Sequence, residues 1–82
     1  MTVEDILKDV KVIFTDVLDD DSIELTMETT AHDIEDWDSL NNIHLVVEIE
    51  KHFNIRFTSS EIQKFRNVAD MCIDIGHKLE DR

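Results

Sequence analysis

Residues Asp36 to Asn54 read DWDSLNNIHLVVEIEKHFN, and this stretch decides how the rest of the chain is organised. Asp38 and Ser39 are both good helix N-caps, because a short side-chain oxygen can accept from the free amides of a first turn. Behind them Ile43, Val46, Ile49 and Phe53 recur at helical spacing, which predicts a helix from residue 38 or 39 to about 53 with these four as its core stripe. Leu40 and Val47 fall on a different side and are expected near the surface. Asn54 supplies the stop, since asparagine tolerates the left-handed backbone that ends helices.

Upstream, Val3, Ile6, Leu7, Val10, Ile13, Phe14, Val17 and Leu18 fall on one stripe of a helix running from about residue 2 to 18, and Thr2 with Asp5 forms a short capping box. Between Asp19 and Asp38 the apolar residues thin to Ile23, Leu25, Met27 and Ile34. That stretch reads as a long loop with a short helical turn near its end, its apolar residues tacking it across the helices. A loop of about 20 residues is unusual inside a small domain and is more often functional than idle. Downstream, Ile55-Arg56-Phe57 is an extended link, and Ser60 with Gln63 caps a brief helix over about residues 61–65. Asn67 with Asp70 opens a last helix carrying Val68, Met71, Cys72, Ile75 and Leu79, with Gly76 late enough to fray or end it. The chain has no proline and one glycine, and it lacks the alternation of a sheet. The expected fold is all-α: an up-and-down four-helix bundle of three main helices and one short one, with a long loop between the first two, as a single domain over residues 1–82.

Twenty Asp and Glu against eight Lys and Arg give a formal charge of -12. That field repels nucleic-acid phosphates and anionic lipid surfaces, and it steers basic protein surfaces toward the chain. Solubility alone is the bland explanation of the same acidity. The lone Cys72 forbids an internal disulfide and fits a reducing compartment. The start, Met1-Thr2-Val3-Glu4-Asp5, is acidic where a secretory leader would be basic, and the apolar runs are far shorter than the roughly 20 residues of a membrane span. A monomeric cytoplasmic protein is expected.

Taken alone, Asp38-Ser39-Leu40 is explained by helix capping. The whole order of elements changes its meaning. The amphipathic first helix, Asp36-Trp37-Asp38-Ser39-Leu40, Leu45-Val46-Val47-Glu48-Ile49-Glu50, the Phe53-Asn54-Ile55 exit and the short helix near Glu61 together resemble the acyl carrier protein family, which includes peptidyl and other phosphopantetheine carriers. The resemblance spans nearly the full chain. It implies that Ser39 holds a covalent 4'-phosphopantetheine arm whose thiol carries acyl groups as thioesters. It also implies that the chain is no enzyme but the substrate of a phosphopantetheinyl transferase, which takes the arm from coenzyme A, with Asp38 helping to position the cofactor and its metal there. Partner enzymes with basic surfaces, from fatty acid, polyketide or related specialised acyl biosynthesis, would then take the cargo; a peptidyl or aminoacyl carrier of a nonribosomal-type pathway is the alternative. Leu40 and Val47 line up with the family's partner-touching positions, flanked by Asn41, Glu48 and Glu50. Trp37 is either a further surface contact or a cover for the core. Asn41 and His44 stand where the fatty-acid-synthesis type has acids, and Lys51 reverses a charge, which points to a specialised pathway with its own loading enzyme.

Rival chemistries are weaker. His44, Glu48 and His52 share one helix face, and His32, Asp33 and Asp36 lie in the loop, yet two histidines and a carboxylate on one helix do not close a metal site. Residues 19–24 lack the alternating oxygens and the glycine of a calcium loop. Ser39 has no glycine-flanked elbow, and Cys72 sits on an apolar stripe as an inert core residue. An acidic adaptor bundle with no cofactor is the strongest rival.

Overall fold

The first helix starts where Thr2 Oγ1 accepts the Asp5 amide at 3.2 Å. The computed structural model describes residues 2–80, so Met1, Asp81 and Arg82 of the expected domain lie outside the described residues. Helix α1 runs Val3–Leu18 and buries Ile6, Val10, Ile13, Phe14 and Leu18. It ends on Asp19, whose left-handed backbone (φ 51°, ψ 46°) turns its amide back to the Thr15 carbonyl. Helix α2 spans Ser39–Phe53 and ends in the same way on Asn54, with φ 56° and ψ 52°. Both stops use a residue whose short polar side chain tolerates that conformation.

Helix α3, Ser59–Lys64, starts two residues before the expected position. Its cap is Thr58 rather than Ser60: Thr58 Oγ1 accepts the Glu61 amide at 3.2 Å, and Glu61 Oε1 accepts the Thr58 amide at 2.8 Å. Two overlapping capping boxes compete here, and the one closed by a carboxylate makes the stronger reciprocal bond. Helix α4 spans Val68–Glu80, with Asn67 Oδ1 accepting the Asp70 amide at 3.0 Å. Gly76 neither ends nor frays it.

Helices α1, α2 and α4 share one apolar cluster. Helix α1 packs against both α2 and α4, and the long loop closes the gap with Ile23, Leu25 and Trp37 buried and Met27 and Ile34 packed alongside. No helix forms between residues 19 and 38; the expected helical turn is instead a pair of turns closed by Asp33 N to Thr30 O at 3.0 Å and Trp37 N to Ile34 O at 3.1 Å. The loop also does the work of a cap. The amides of Val68 and Ala69, which the start of α4 would leave unpaired, donate to the carbonyls of Thr29 and Met27, each at 2.9 Å. Thr29 itself is buried, and its Oγ1 accepts the Thr26 amide at 2.9 Å. The described residues contain no strand.

One expectation about α2 fails. Its buried residues are Leu45, Val46, Ile49 and Phe53, while Ile43 is 60% exposed. At about 100° per residue Ile43 lies beyond the edge of that stripe, and the inward place before Val46 goes to Asn42, which bonds to Trp37.

Candidate functional site

The site forms where the loop meets the head of α2. Asp38 Oδ1 accepts the Asn41 amide at 2.8 Å, and the Asp38 carbonyl takes the Asn42 amide at 2.8 Å. Two asparagine side chains brace the incoming loop: Asn41 Nδ2 donates to the Asp36 carbonyl at 2.7 Å, and Asn42 Oδ1 accepts the Trp37 indole N–H at 2.9 Å. Trp37 is therefore a core residue, as the second of its two readings has it. It is 9% exposed, and its ring meets Phe14 edge-on with centroids 4.9 Å apart. Trp37 thereby anchors the turn that presents Ser39.

Ser39 is the first residue of α2, and its side chain is exposed. Among the described residues none exchanges a hydrogen bond with its hydroxyl. It opens onto a groove of about 410 Å³ bounded by Trp37, Asn42, Ile62, Phe65 and Arg66. The amides of Asn41 and Asn42 are taken by Asp38, which leaves those of Ser39 and Leu40 at the positive end of the helix. A negatively charged ester on Ser39 is favoured there. These residues therefore fit a phosphodiester-linked group: a free hydroxyl, a rigid base beneath it and open space above it.

Beside Ser39 lies an apolar stripe on the outer face of α2. Leu40, Ile43 and Val47 are 66%, 60% and 39% exposed, and their spacing of three and four residues puts them on one side of the helix. Ile43 is the member that periodicity assigns wrongly; its spacing from Leu40 was the signal for it. Glu48 stands next to the stripe with Lys51, whose Nζ is 3.8 Å away. Glu50 is turned elsewhere, because its Oε2 accepts the Phe57 amide at 2.8 Å and locks the exit from α2.

The remaining chemical candidates go to structure. His52 Nε2 lies 3.2 Å from Asp9 Oδ2 and ties α2 to α1. Among the described residues no group of three or more His, Cys, Asp and Glu could hold a metal ion. Burial pushes the Cys72 thiol up to about 11, so it stays protonated and a poor nucleophile at neutral pH. No helix among the described residues is long and apolar enough to cross a membrane.

Comparison with known proteins gives this geometry its context. A family model described as phosphopantetheine attachment site matches residues 8–75. The acyl carrier protein of Phytoplasma australiense is 30% identical over 74 residues, covering 90% of this chain and 97% of that protein. The acyl carrier protein of Petrotoga mobilis is 29% identical over 79 residues, covering 96% and 93%. The solution NMR structure of holo acyl carrier protein from Geobacter metallireducens superposes with a TM-score of 0.86 at 45% identity, covering 92% of this chain and 86% of that one. The family model takes in the long loop, the head of α2 and most of α4, so the similarity includes the site as well as the helices. The chain thus belongs to the phosphopantetheine-binding acyl carrier protein family, whose members are carriers rather than enzymes and bear a covalent 4'-phosphopantetheine.

Proposed function

We propose that Ser39 is the attachment residue, and that the chain holds acyl intermediates for enzymes of fatty acid, polyketide or related specialised acyl biosynthesis. The single observation that carries the assignment is the exposed, unbonded Ser39 hydroxyl at the head of α2, on a base braced by Asp38, Asn41 and the Trp37–Asn42 bond. When bound, the cofactor supplies a thiol for thioester formation on a flexible tether. The chain's own residues do the rest. Ser39 offers one oxygen in a fixed place, and Asp38, besides capping the helix, keeps a second carboxylate oxygen available to the loading enzyme. Ser39 has no base bonded to it, which suits a residue modified by a separate transferase.

Partner enzymes dock, on this reading, on the stripe of Leu40, Ile43 and Val47. An apolar spot beside Glu48 on a chain of charge -12 suits brief encounters with basic surfaces. Asn41 and Glu50 are assigned structural bonds first and partner contacts second. His44 and Lys51 make this face less acidic than a run of carboxylates, which favours a specialised pathway with its own loading enzyme. A monomer in the cytoplasm completes the proposal.

Intact mass after incubation with coenzyme A and a broad-range phosphopantetheinyl transferase tests the assignment. The wild-type chain gains one arm, while Ser39→Ala gains none and melts within a degree or two of wild type, because only an exposed hydroxyl is lost. An arm on Ser39→Ala, or none on the wild type, overturns it.

A further inference from the structure

An arginine stands at the wall of the groove that Ser39 opens onto. Arg66 lies in the link between α3 and α4 and lines that groove with Ile62, Phe65, Trp37 and Asn42. A single carboxylate fixes its position: Asp70 Oδ2 accepts from the Arg66 amide at 3.0 Å and from its Nε–H at 3.2 Å. Asp70 is held in turn by the Asn67 cap at 3.0 Å. The two bonds from Arg66 hold the Asp70 carboxyl below its usual range. With Nε engaged, the terminal amino groups of the guanidinium remain as donors, and among the described residues no group takes a hydrogen bond from them.

The charge around Ser39 makes this placement consequential. Asp36 and Asp38 flank the attachment point, and the chain as a whole carries -12. A phosphodiester placed on Ser39 meets the repulsion of Asp38 in this groove, and the helix end, Arg66 and the His32 ring are the lining groups that can oppose it. A planar guanidinium, oriented by a carboxylate behind it, can grip two phosphate oxygens at once. As a mere ion pair with Asp70, Arg66 would contribute little, since its side chain is 86% exposed.

We infer that Arg66 is a positioning residue for the arm: its terminal amino groups bond the phosphodiester on Ser39 and hold the root of the arm over the groove between α2 and α3. The inference rests on Ser39 being the attachment residue and adds the group that orients what is attached.

Phosphorus NMR of the holo protein tests it, with the gain of the arm verified by intact mass in each sample. In wild type the Arg66 Nε–Hε correlation shifts beyond its linewidth between apo and holo forms, and the phosphodiester resonance differs between holo wild type and holo Arg66→Gln. The Val68 and Ala69 amide signals stay in place in Arg66→Gln, showing that the α3–α4 link is kept. Arg66→Lys, which keeps the charge and loses the fork, gives an intermediate phosphorus shift. Superimposed phosphorus resonances in wild type and Arg66→Gln overturn the inference while leaving Ser39 as the attachment residue. Failure of the wild type to gain mass overturns the attachment itself and this inference with it.

Discussion

Trp37 shows how much of the site depends on one side chain that the chemistry never touches. Its ring packs edge-on against Phe14, and its indole N–H spends its one donor on Asn42 Oδ1 at 2.9 Å. Trp37→Phe keeps an aromatic ring but strands the Asn42 oxygen and leaves space behind. The expected cost is about 1–3 kcal/mol. A double-mutant cycle with Asn42→Ala separates the bond from the packing, with a coupling of about 1 kcal/mol expected from thermal or urea unfolding; zero coupling would leave the bond without energetic weight. The sequence alone left Trp37 suspended between surface and core, because its neighbours Asp36 and Asp38 are polar and its decisive contact is with Phe14, far upstream. Asn41 is a similar case. It reads as a lost acid on a recognition face, whereas the folded chain uses its amide to fasten Asp36 at 2.7 Å. Ser39, by contrast, was legible, since its position depends on the local cap and the order of elements.

At the scale of elements, Gly76 stands out in α4 as a residue with no backbone need to be glycine. No glycine has a positive φ, and a methyl group added at Gly76 would meet Ile6 Cδ1 at 3.5 Å, an ordinary contact. Glycine inside a helix costs roughly 0.5–1 kcal/mol relative to alanine. Gly76→Ala should therefore stabilise the protein by up to about 1 kcal/mol, raising Tm by roughly 4–8 °C at the upper end, and a lowered melting point would show that α1 and α4 pack too closely there. Reading Gly76 as a helix end weighed composition against a pattern that Leu79, partly buried against the core, already carried further. The stripe of α1 was legible because every buried position on it is apolar and the capping residues are local. The stripe of α2 was legible in part: Val46, Ile49 and Phe53 are buried as expected, but Leu40, Ile43 and Val47 make a second apolar face, and periodicity put Ile43 on the wrong one. The docking of the loop on α4 was also out of reach: Thr29 and Met27 cap Val68 and Ala69 through carbonyls, which every residue possesses and no side-chain pattern reveals.

Across the whole molecule, the excess of acid is held by few cations, and Lys78 joins several parts at once. Its Nζ bonds Glu61 Oε2 at 2.7 Å, lies 4.0 Å from Asp74 Oδ2 and sits 5.5 Å from the centre of the Phe57 ring. Glu61 gains most from this arrangement, and the hydrogen bond from Lys78, followed by that from the Thr58 amide, lowers its pKa from 4.5. Asp74 gains least: its Oδ2 is buried without a hydrogen bond, and desolvation, then the nearby Glu61 charge, raises its pKa above 3.8. The two groups act in opposite directions on stability. Glu61 contributes above the unfolded value of 4.5 and loses that contribution as pH falls. Asp74 binds its proton more tightly in the folded chain, so stability declines as pH rises from 3.8 through the folded value, and at neutral pH the whole cost is present. Self-repulsion at a net charge of -12 adds to the neutral-side loss. The melting temperature should therefore peak at mildly acidic pH. Asp74→Asn should raise it at pH 7 by a stabilisation of less than about 1 kcal/mol, since the carboxylate keeps 25% of its surface in water. The gain should shrink as pH falls through the folded value and vanish below 3.8, where the aspartate is protonated in the folded and unfolded chain alike. Thermal melts of both proteins across that range check this, and an equal gain at both ends would mean that the substitution acts through packing and not through charge.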